Sequence, residues 1–146
     1  MLIGKYKYST DSKNRICIPH KFRGELGERC VISKDMIDNC LNLYSFEQWS
    51  VFSKKIEALP TIKMRRLRQL VYSNSDDVEF DSQGRIVLSQ ELCKNTGLLS
   101  EKEVMIIGTL THVQIWSLAE WEKFDRELNS EESKESVIND LLEIGF

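Results

Sequence analysis

The sequence predicts an α+β fold, rich in β-strand, built from two tandem repeats related by a pseudo-twofold axis and flanked by helices. Three observations carry that prediction. The chain repeats itself, each repeat holds short stretches of strand-type alternation, and each repeat runs into a Ser-capped amphipathic helix. The repeat is plainest at Asp11-Ser12-Lys13-Asn14-Arg15-Ile16, which returns as Asp81-Ser82-Gln83-Gly84-Arg85-Ile86. A shift of 70 residues also lays Ile18 on Leu88, Phe22 on Leu92 and Gly27 on Gly97. A shift of 72 lays Leu41-Asn42-Leu43-Tyr44-Ser45-Phe46 on Val113-Gln114-Ile115-Trp116-Ser117-Leu118, and Trp49, Phe52 and Ile56 on Trp121, Phe124 and Leu128. Two matched blocks in one order mark a tandem duplication. The two-residue slip between them is expected in the loop within 27–38, where insertions are tolerated best.

Taken in order, Lys5-Tyr6-Lys7-Tyr8-Ser9-Thr10 alternates, which puts lysines on one face of a strand and tyrosines on the other. Residues 11–14 supply turn chemistry, and Asn14 and Gly84 are the residue types that best tolerate positive φ. Residues 15–18 form the return strand, Pro19 suits a helix start, and 20–26 form a short helix closed by Gly27, as Gly97 closes its counterpart. A second hairpin follows in each repeat, 30–33 with 41–44 and 104–108 with 112–116. Ser45-x-x-Gln48 and Ser117-x-x-Glu120 are capping boxes. Behind them Trp49, Phe52 and Ile56, like Trp121, Phe124 and Leu128, form core-facing stripes. A helix over 61–74 puts Met64, Leu67, Leu70 and Val71 on one face and Lys63, Arg65, Arg66 and Arg68 on others. A last amphipathic segment, 130–146, carries Val137, Ile138, Leu141 and Leu142 in a Glu-rich context, to dock on its own chain or a neighbour's. The resulting organisation is repeat one at 5–48, a helical connector at 49–75, repeat two at 76–120 and a C-terminal helical segment at 121–146.

At 146 residues the chain is one domain's worth, or two small intertwined ones. No apolar run is long enough to span a membrane, and the first residues lack the apolar core of a signal peptide, which points to the cytoplasm. Four cysteines, Cys17, Cys30, Cys40 and Cys93, show no C-x-x-C spacing. Cys17 lies three residues before His20 but matches Val87 in the second repeat, so it reads as a small strand hydrophobe, not as a nucleophile or metal ligand. The net charge of −3 conceals a polarity. Residues 1–72 hold 14 Lys and Arg against 7 Asp and Glu, a local net of +7, and residues 73–146 hold 6 against 16, a net of −10. Such asymmetry suggests that one half faces a polyanion or an acidic partner, the alternative being that the two halves neutralise one another.

The pattern Gly4-x-Tyr6, then Asp11-x-Lys13-x-Arg15-x-x-x-Pro19-x-Lys21-Phe22-Arg23, repeated as Asp81-x-x-Gly84-Arg85-Ile86, resembles the MraZ family over nearly the whole chain. These are bacterial transcriptional regulators encoded with division and cell-wall genes and built from two AbrB-like (SpoVT-AbrB) repeats. The resemblance implies an interleaved swapped-hairpin barrel made by 5–48 and 76–120, a homo-oligomeric ring of about eight chains, and binding to short direct repeats in double-stranded promoter DNA of its own operon. Asn14 stands where the family's first motif most often has Gly, Gln83 replaces a basic residue often found before that Gly, and His20 takes the place of a small residue.

In each D-x-x-x-R turn the Asp can accept turn N–H groups and hold the guanidinium of the returning strand. Asp76, Asp77, Glu79 and Asp81 surround Arg85 with negative charge, so Asp81, Gly84 and Arg85 read as a structural clip. Asp11 and Asn14 shape the first turn in the same way, but Lys5, Lys7, Lys13 and Arg15 crowd it, with Lys21 and Arg23 on the next helix. A two-stranded ribbon fits the major groove, where Arg reads guanine O6 and N7. Arg15 is therefore expected at base edges or phosphate, and Lys5, Lys7, Lys13, Lys21 and Arg23 at phosphates. No Gly-rich phosphate loop, G-x-S-x-G or H-E-x-x-H is present, so no catalytic residue, cofactor or small-molecule substrate is assigned. The acidic residues at 76–81 are of the type that holds Mg²⁺ or Ca²⁺, yet their alternation reads as a solvated strand face, and no metal is assigned. The leading function is a sequence-specific DNA-binding transcriptional regulator. The rival is a protein-interaction or assembly module, a scaffold or antitoxin-like partner without direct DNA readout, and a metal-dependent enzyme stands third.

Overall fold

In the computed structural model, which describes residues 1–145, the two repeats exchange strands. The alternating N-terminal segment forms β1 (Leu2–Ser9), followed by the first turn and β2 (Arg15–Cys17). The chain continues through α1 (His20–Leu26), the hairpin β3 (Arg29–Lys34) and β4 (Leu41–Ser45), and α2 (Phe46–Glu57). Then α3 (Thr61–Leu67) runs into a π-helical turn, Arg68–Tyr72. The second repeat gives β5 (Ser75–Glu79), β6 (Arg85–Val87), the hairpin β7 (Glu103–Leu110) and β8 (Val113–Ser117), and α4 (Leu118–Leu128), with α5 (Glu131–Glu143) last.

Six strands form one antiparallel sheet in the order β1-β7-β8-β4-β3-β5, and β2 and β6 pair separately as a ribbon. Within the sheet β1 pairs only with β7 of the other repeat, β5 only with β3, and β4 meets β8 at the centre. The pseudo-twofold axis therefore passes between β4 and β8. The core fills the space between one sheet face and the ribbon. Leu41, Leu43, Val104, Ile106, Val113 and Ile115 come from the sheet, and Ile16, Ile18, Phe22, Ile86, Leu88 and Leu98 from the ribbon side. Apolar side chains this deeply buried contribute about 1.5–3 kcal/mol each.

The opposite sheet face carries Tyr44 and Trp116 and is covered by α2 and α4. Tyr44 meets Trp49 at 5.4 Å and Phe52 at 5.8 Å, and Trp116 meets Trp121 at 5.6 Å and Phe124 at 4.9 Å. These are the same contacts at equivalent positions. They are fixed by the Ser caps, whose hydroxyls accept from Gln48 N and Glu120 N and so set where each aromatic stripe begins.

The sequence expectations need three corrections. First, barrel closure is not seen among the described residues: β1 and β5 are sheet edges, because after each turn the chain leaves the sheet and β2 and β6 bond to one another. Second, the counterpart of α1 in repeat two is a run of turns. Asn95 adopts φ 65° there, and Asn95 and Thr96 are weak helix formers where α1 has Glu25 and Leu26, so the turn that begins with Cys93 N–H donating to Ser89 O is not propagated. Third, Leu70 is 48 % exposed, since the π-helical turn shifts the phase of the stripe that buries Val71. The α5 strip lies partly against its own chain: Leu141 is half-buried and Val137 and Ile138 line a groove with Leu128 of α4, while Leu142 stays exposed and Phe146 lies outside the described residues.

The slip between the repeats resolves into two steps. Strand register equates Cys30 with Val104, since these face Ser45 and Ser117. Repeat two thus inserts four residues after Gly97 and drops two in the β7–β8 hairpin.

Close approach at the β1–β7 edge rests on Gly108. A Cβ there would lie 2.5 Å from Ile3 N and the Leu2 carbonyl carbon, both backbone atoms that cannot turn aside. Gly108→Ala should cost about 1–3 kcal/mol, as overpacking does, and lower the melting temperature. Gly24→Ala in α1 meets nothing within 4 Å and should be neutral or stabilising. Thermal melts of the two variants side by side check this.

Candidate nucleic-acid interface

The two D-x-x-x-R turns are superimposable in their bonding. Asp11 Oδ1 accepts the N–H of Lys13 and of Arg15, both at 2.9 Å, while Asp81 Oδ1 accepts those of Gln83 and Arg85, also at 2.9 Å. Each turn is closed by a further pair of backbone bonds, Asp11 N–H to Arg15 O and Asp81 N–H to Arg85 O among them. Asn14 (φ 56°) and Gly84 (φ 75°) hold the left-handed position that the sequence assigned to them. The β2–β6 ribbon sets the turns side by side, and it is locked at its ends by Leu88 N–H to Asn14 O (2.8 Å) and Ile18 N–H to Gly84 O (3.1 Å).

Each carboxylate then takes its arginine by one edge. Arg15 Nε donates to Asp11 Oδ2 at 2.6 Å and Arg85 Nε to Asp81 Oδ2 at 2.8 Å. The Nη groups of Arg15 have no partner among the described residues. Arg85 is held twice, its Nη1 lying 3.8 Å from Asp11 Oδ2. A guanidinium anchored at Nε keeps its Nη donors for an acceptor outside the protein. The cluster also explains the titration of the two acids. The Arg15 backbone N–H holds the Asp11 carboxyl below the usual carboxylate range, helped by the Arg15 side chain and the Lys13 N–H and opposed by desolvation. Asp81 is lowered in the same way, first by the Arg85 backbone N–H.

The remaining basic residues do not share one surface. Arg23 donates from Nε to Ile18 O at 3.1 Å, and its guanidinium fills the space directly over Gly84, where any side chain would collide with it. It is a brace between the repeats. Lys21 donates to the Tyr6 hydroxyl at 3.4 Å and lies over the Tyr6 and Phe22 rings, so it sits on the tyrosine side of β1. Lys5 and Lys7 point to the other side of β1, Lys5 over the Trp121 ring at 5.9 Å and Lys7 paired with Glu103 at 3.7 Å. Lys13 is exposed at the turn itself. The structure thus groups Lys13, Arg15 and Arg23 around the paired turns and separates Lys5 and Lys7 from Lys21.

Sequence reasoning did not single out Arg29. It pairs with Asp77 and with Glu79 (3.3 Å), neutralising two of the four acids near the second turn. Arg29 and Asp77 occupy the positions equivalent to Glu103 and Lys7, so the duplicated ion pair has exchanged its charges. Only the strand register, with its offset of 74 between Cys30 and Val104, brings these residues into correspondence. Among the described residues no group of three or more His, Cys, Asp or Glu could hold a metal ion. Burial pushes the Cys30 thiol up to about 12 and the Cys93 thiol to about 11, and raises Cys40 as well, as for cysteines packed as hydrophobes.

A carboxylate with a depressed folded-state pKa adds stability above its unfolded value, and the gain disappears as pH falls through the folded value. The turns should therefore weaken only in acid, below the ordinary Asp range. Thermal melts against pH should show that loss in the native chain. Asp11→Asn with Asp81→Asn should lower the neutral-pH melting temperature and flatten the acid limb.

The chain was compared with known proteins on this basis. It matches the sequence profile of the family described as MraZ protein, antitoxin-like, over residues 1–69 and again over 71–143. It is 40 % identical to "Transcriptional regulator MraZ" of Alkaliphilus oremlandii and 40 % identical to that of Acetivibrio thermocellus, each over the full length of both chains. With the protein of that name from Caldicellulosiruptor bescii the identity is 42 % across 84 % of this chain and 85 % of the relative. The duplicated profile match falls on the same two halves that exchange strands in the fold, and the chain belongs to the MraZ family.

Proposed function

We propose that the chain is a sequence-specific DNA-binding transcriptional regulator that presents its paired D-x-x-x-R turns to promoter DNA. The observation that carries this reading is the free Nη edge of Arg15, clipped at Nε by Asp11 and flanked by exposed Lys13. Two donors on one rigid edge suit the O6 and N7 acceptors of guanine or a phosphate. The relatives' printed name supports the regulatory role. Lys13 and Arg23 act beside Arg15, and Lys5, Lys7 and Lys21 contact phosphate from the flanks, where the duplex or its neighbour curves past them. Asp11, Asn14, Asp81, Gly84 and Arg85 shape the turns. Arg85, shared between two carboxylates, is the structural member of the pair.

In this reading the strand exchange between sheet and ribbon is the swapped-hairpin arrangement of the AbrB-like repeats, without closure into a barrel. Several copies, about eight in a ring, set adjacent turns against short direct repeats upstream of the chain's own division and cell-wall operon. Multivalency of this kind raises effective concentration without new contacts. It also accounts for a site so small on one protomer. The protein would act in the cytoplasm at the nucleoid. Among the described residues no helix is long and apolar enough to cross a membrane.

Arg15→Ala should fold and assemble normally yet lose specific binding, by about 1–3 kcal/mol for each base contact removed. Arg85→Ala should chiefly lower the melting temperature, while whatever is folded still binds. Gel shifts with the upstream DNA, run beside thermal melts, compare them. Normal operator binding by Arg15→Ala would overturn the assignment. Native binding should also weaken steeply with salt, log K falling by about 0.9 per neutralised phosphate per log unit. A salt-independent interaction would favour the protein-interaction module instead.

A further inference from the structure

Three departures from the twofold symmetry meet at one cavity. The β3–β4 hairpin keeps two residues that the β7–β8 hairpin has dropped, α3 ends in a π-helical turn where α5 does not, and Asn42 stands where repeat two has Gln114. The cavity measures about 170 Å³, and Met36, Tyr44, Phe52 and Val71 form the apolar part of its wall. The Tyr44 and Phe52 rings lie nearly parallel, with centroids 5.8 Å apart. Asn42 belongs to the same wall and is 6 % exposed. Its Nδ2 donates to Asp35 Oδ2 at 3.0 Å, which fixes the amide's orientation, yet its Oδ1 accepts from nothing among the described residues. Gln114, directly opposite on β8, is by contrast satisfied at Oε1 by Trp116 Nε1 at 3.0 Å. A buried acceptor without a donor is costly and rare. Asp35 also lines the cavity, its Oδ1 accepting the N–H of Ile37 (2.9 Å) and of Asp38 (2.7 Å). It has no ion-pair partner among the described residues, although Lys34 borders the same cavity. Burial, and then the Asp35 charge, pushes the Tyr44 hydroxyl up to about 12, so the phenol stays neutral beside the carboxylate. Ser75 Oγ, bonded to Val71 O at 2.7 Å and to Ser33 Oγ at 2.8 Å, ties the π-helical turn to this place, and such turns recur at functional sites.

We propose that this cavity binds a small primary ammonium ion carried on a short aliphatic stem. An ammonium group donates and never accepts, which suits a wall whose unmatched polar groups are the Asn42 Oδ1 acceptor and the Asp35 carboxylate. The stem packs against Met36 and Val71, and the faces of Tyr44 and Phe52 favour a cation over a neutral group. At about 30 Å³ for each water-sized group, the cavity takes roughly five or six non-hydrogen atoms, the size of a butylammonium ion. An alcohol satisfies Asn42 but leaves the Asp35 charge uncompensated, a carboxylate meets like charge, and a water leaves the apolar wall wet. The pseudo-twofold frame does not call for these features, since repeat two builds the same sheet face with a shorter hairpin and a satisfied amide. The site is independent of the DNA contact at Arg15.

Equilibrium dialysis of the full-length chain against radiolabelled n-butylamine at neutral pH reads the site directly. One ion per chain should bind, saturably, at millimolar concentration. n-Pentylamine should compete, whereas n-butanol and butyrate should compete about tenfold less well or worse, as expected when a charge-assisted contact is missing. Asp35→Asn keeps an acceptor for the Ile37 and Asp38 N–H groups but removes the charge, and Asn42→Leu removes the orphaned oxygen. Each should weaken binding by about tenfold or more while a cooperative melt is retained. Asp140→Asn changes the net charge equally on the exposed side of α5 and should bind as the native chain does. The site is overturned by an absence of saturable binding, or by unchanged binding in a cooperatively melting Asp35→Asn. An equal loss in Asp140→Asn, the mark of general attraction to an acidic chain, overturns it too. Butanol competing as well as pentylamine overturns the ammonium assignment. If Asn42→Leu does not fold, Asp35→Asn decides alone.

Discussion

Everything in this fold depends on the exchange of strands between the two halves of the chain. The strand β1 has no partner in its own repeat, nor has β5, and β2 and β6 are three-residue strands whose only ladder is each other. A repeat on its own would leave these backbone donors and acceptors unpaired, at a cost of about 1–3 kcal/mol for each buried group. It would also uncover Ile16, which is fully buried and whose strand partner is Ile86 of the other repeat. Folding is therefore a single event for both repeats, although the sequence divides cleanly in two.

The turns inherit their rigidity from this exchange. A tight turn with a left-handed residue is held locally by its Asp, but its orientation is fixed by the bonds from Leu88 to Asn14 and from Ile18 to Gly84, which run between repeats. Arg23 adds a third tie, reaching from α1 of one repeat over the glycine of the other. Arg15 thus stands on a base held from both halves, and little backbone entropy would remain to be lost if it bound a ligand. The packing of Arg23 also favours Gly84 where Asn14 serves in the first turn, since a side chain at 84 would displace that guanidinium. Cys93 occupies the place equivalent to Arg23, so nothing comparable crowds Asn14, and asparagine's tolerance of left-handed geometry is enough.

Much of the fold was legible because it depends on short-range chemistry. The Ser caps, the turn residues, the Lys/Tyr alternation of β1 and the aromatic stripes all act over a few residues, and each appears where its pattern lies. What was not legible depends on partners distant in sequence or on phase. The π-helical turn rotates Leu70 outward although its spacing is unexceptional, and the failed helix after Ser89 differs from α1 only in marginal propensities. Similarly, the cluster of six basic residues in the first half was visible as composition. Its division between the two sides of β1 was not, because that depends on Tyr6 lying beneath Lys21 and on Trp121 and Glu103 lying across from Lys5 and Lys7.

Duplication within one chain frees the two turns to differ. Two identical subunits must place the same side chain at both ends of a twofold axis, so a cation gained at one turn is gained at the other. Here Gln83 stands at the position equivalent to Lys13, Asp77 at that of Lys7 and Arg29 at that of Glu103, while the apolar residues between them stay matched. The core keeps the symmetry because packing constrains it at every position. The surface loses it because an exposed ion pair contributes little to stability with either order of charges. Reversing the Lys7–Glu103 pair to Asp77–Arg29 thus costs the fold almost nothing, yet it makes one edge of the sheet basic where the other is acidic. A polar molecule on a symmetric frame presents unlike ends to its neighbours and a single basic turn to an anion. Both follow from charge changes that the fold has no means of resisting.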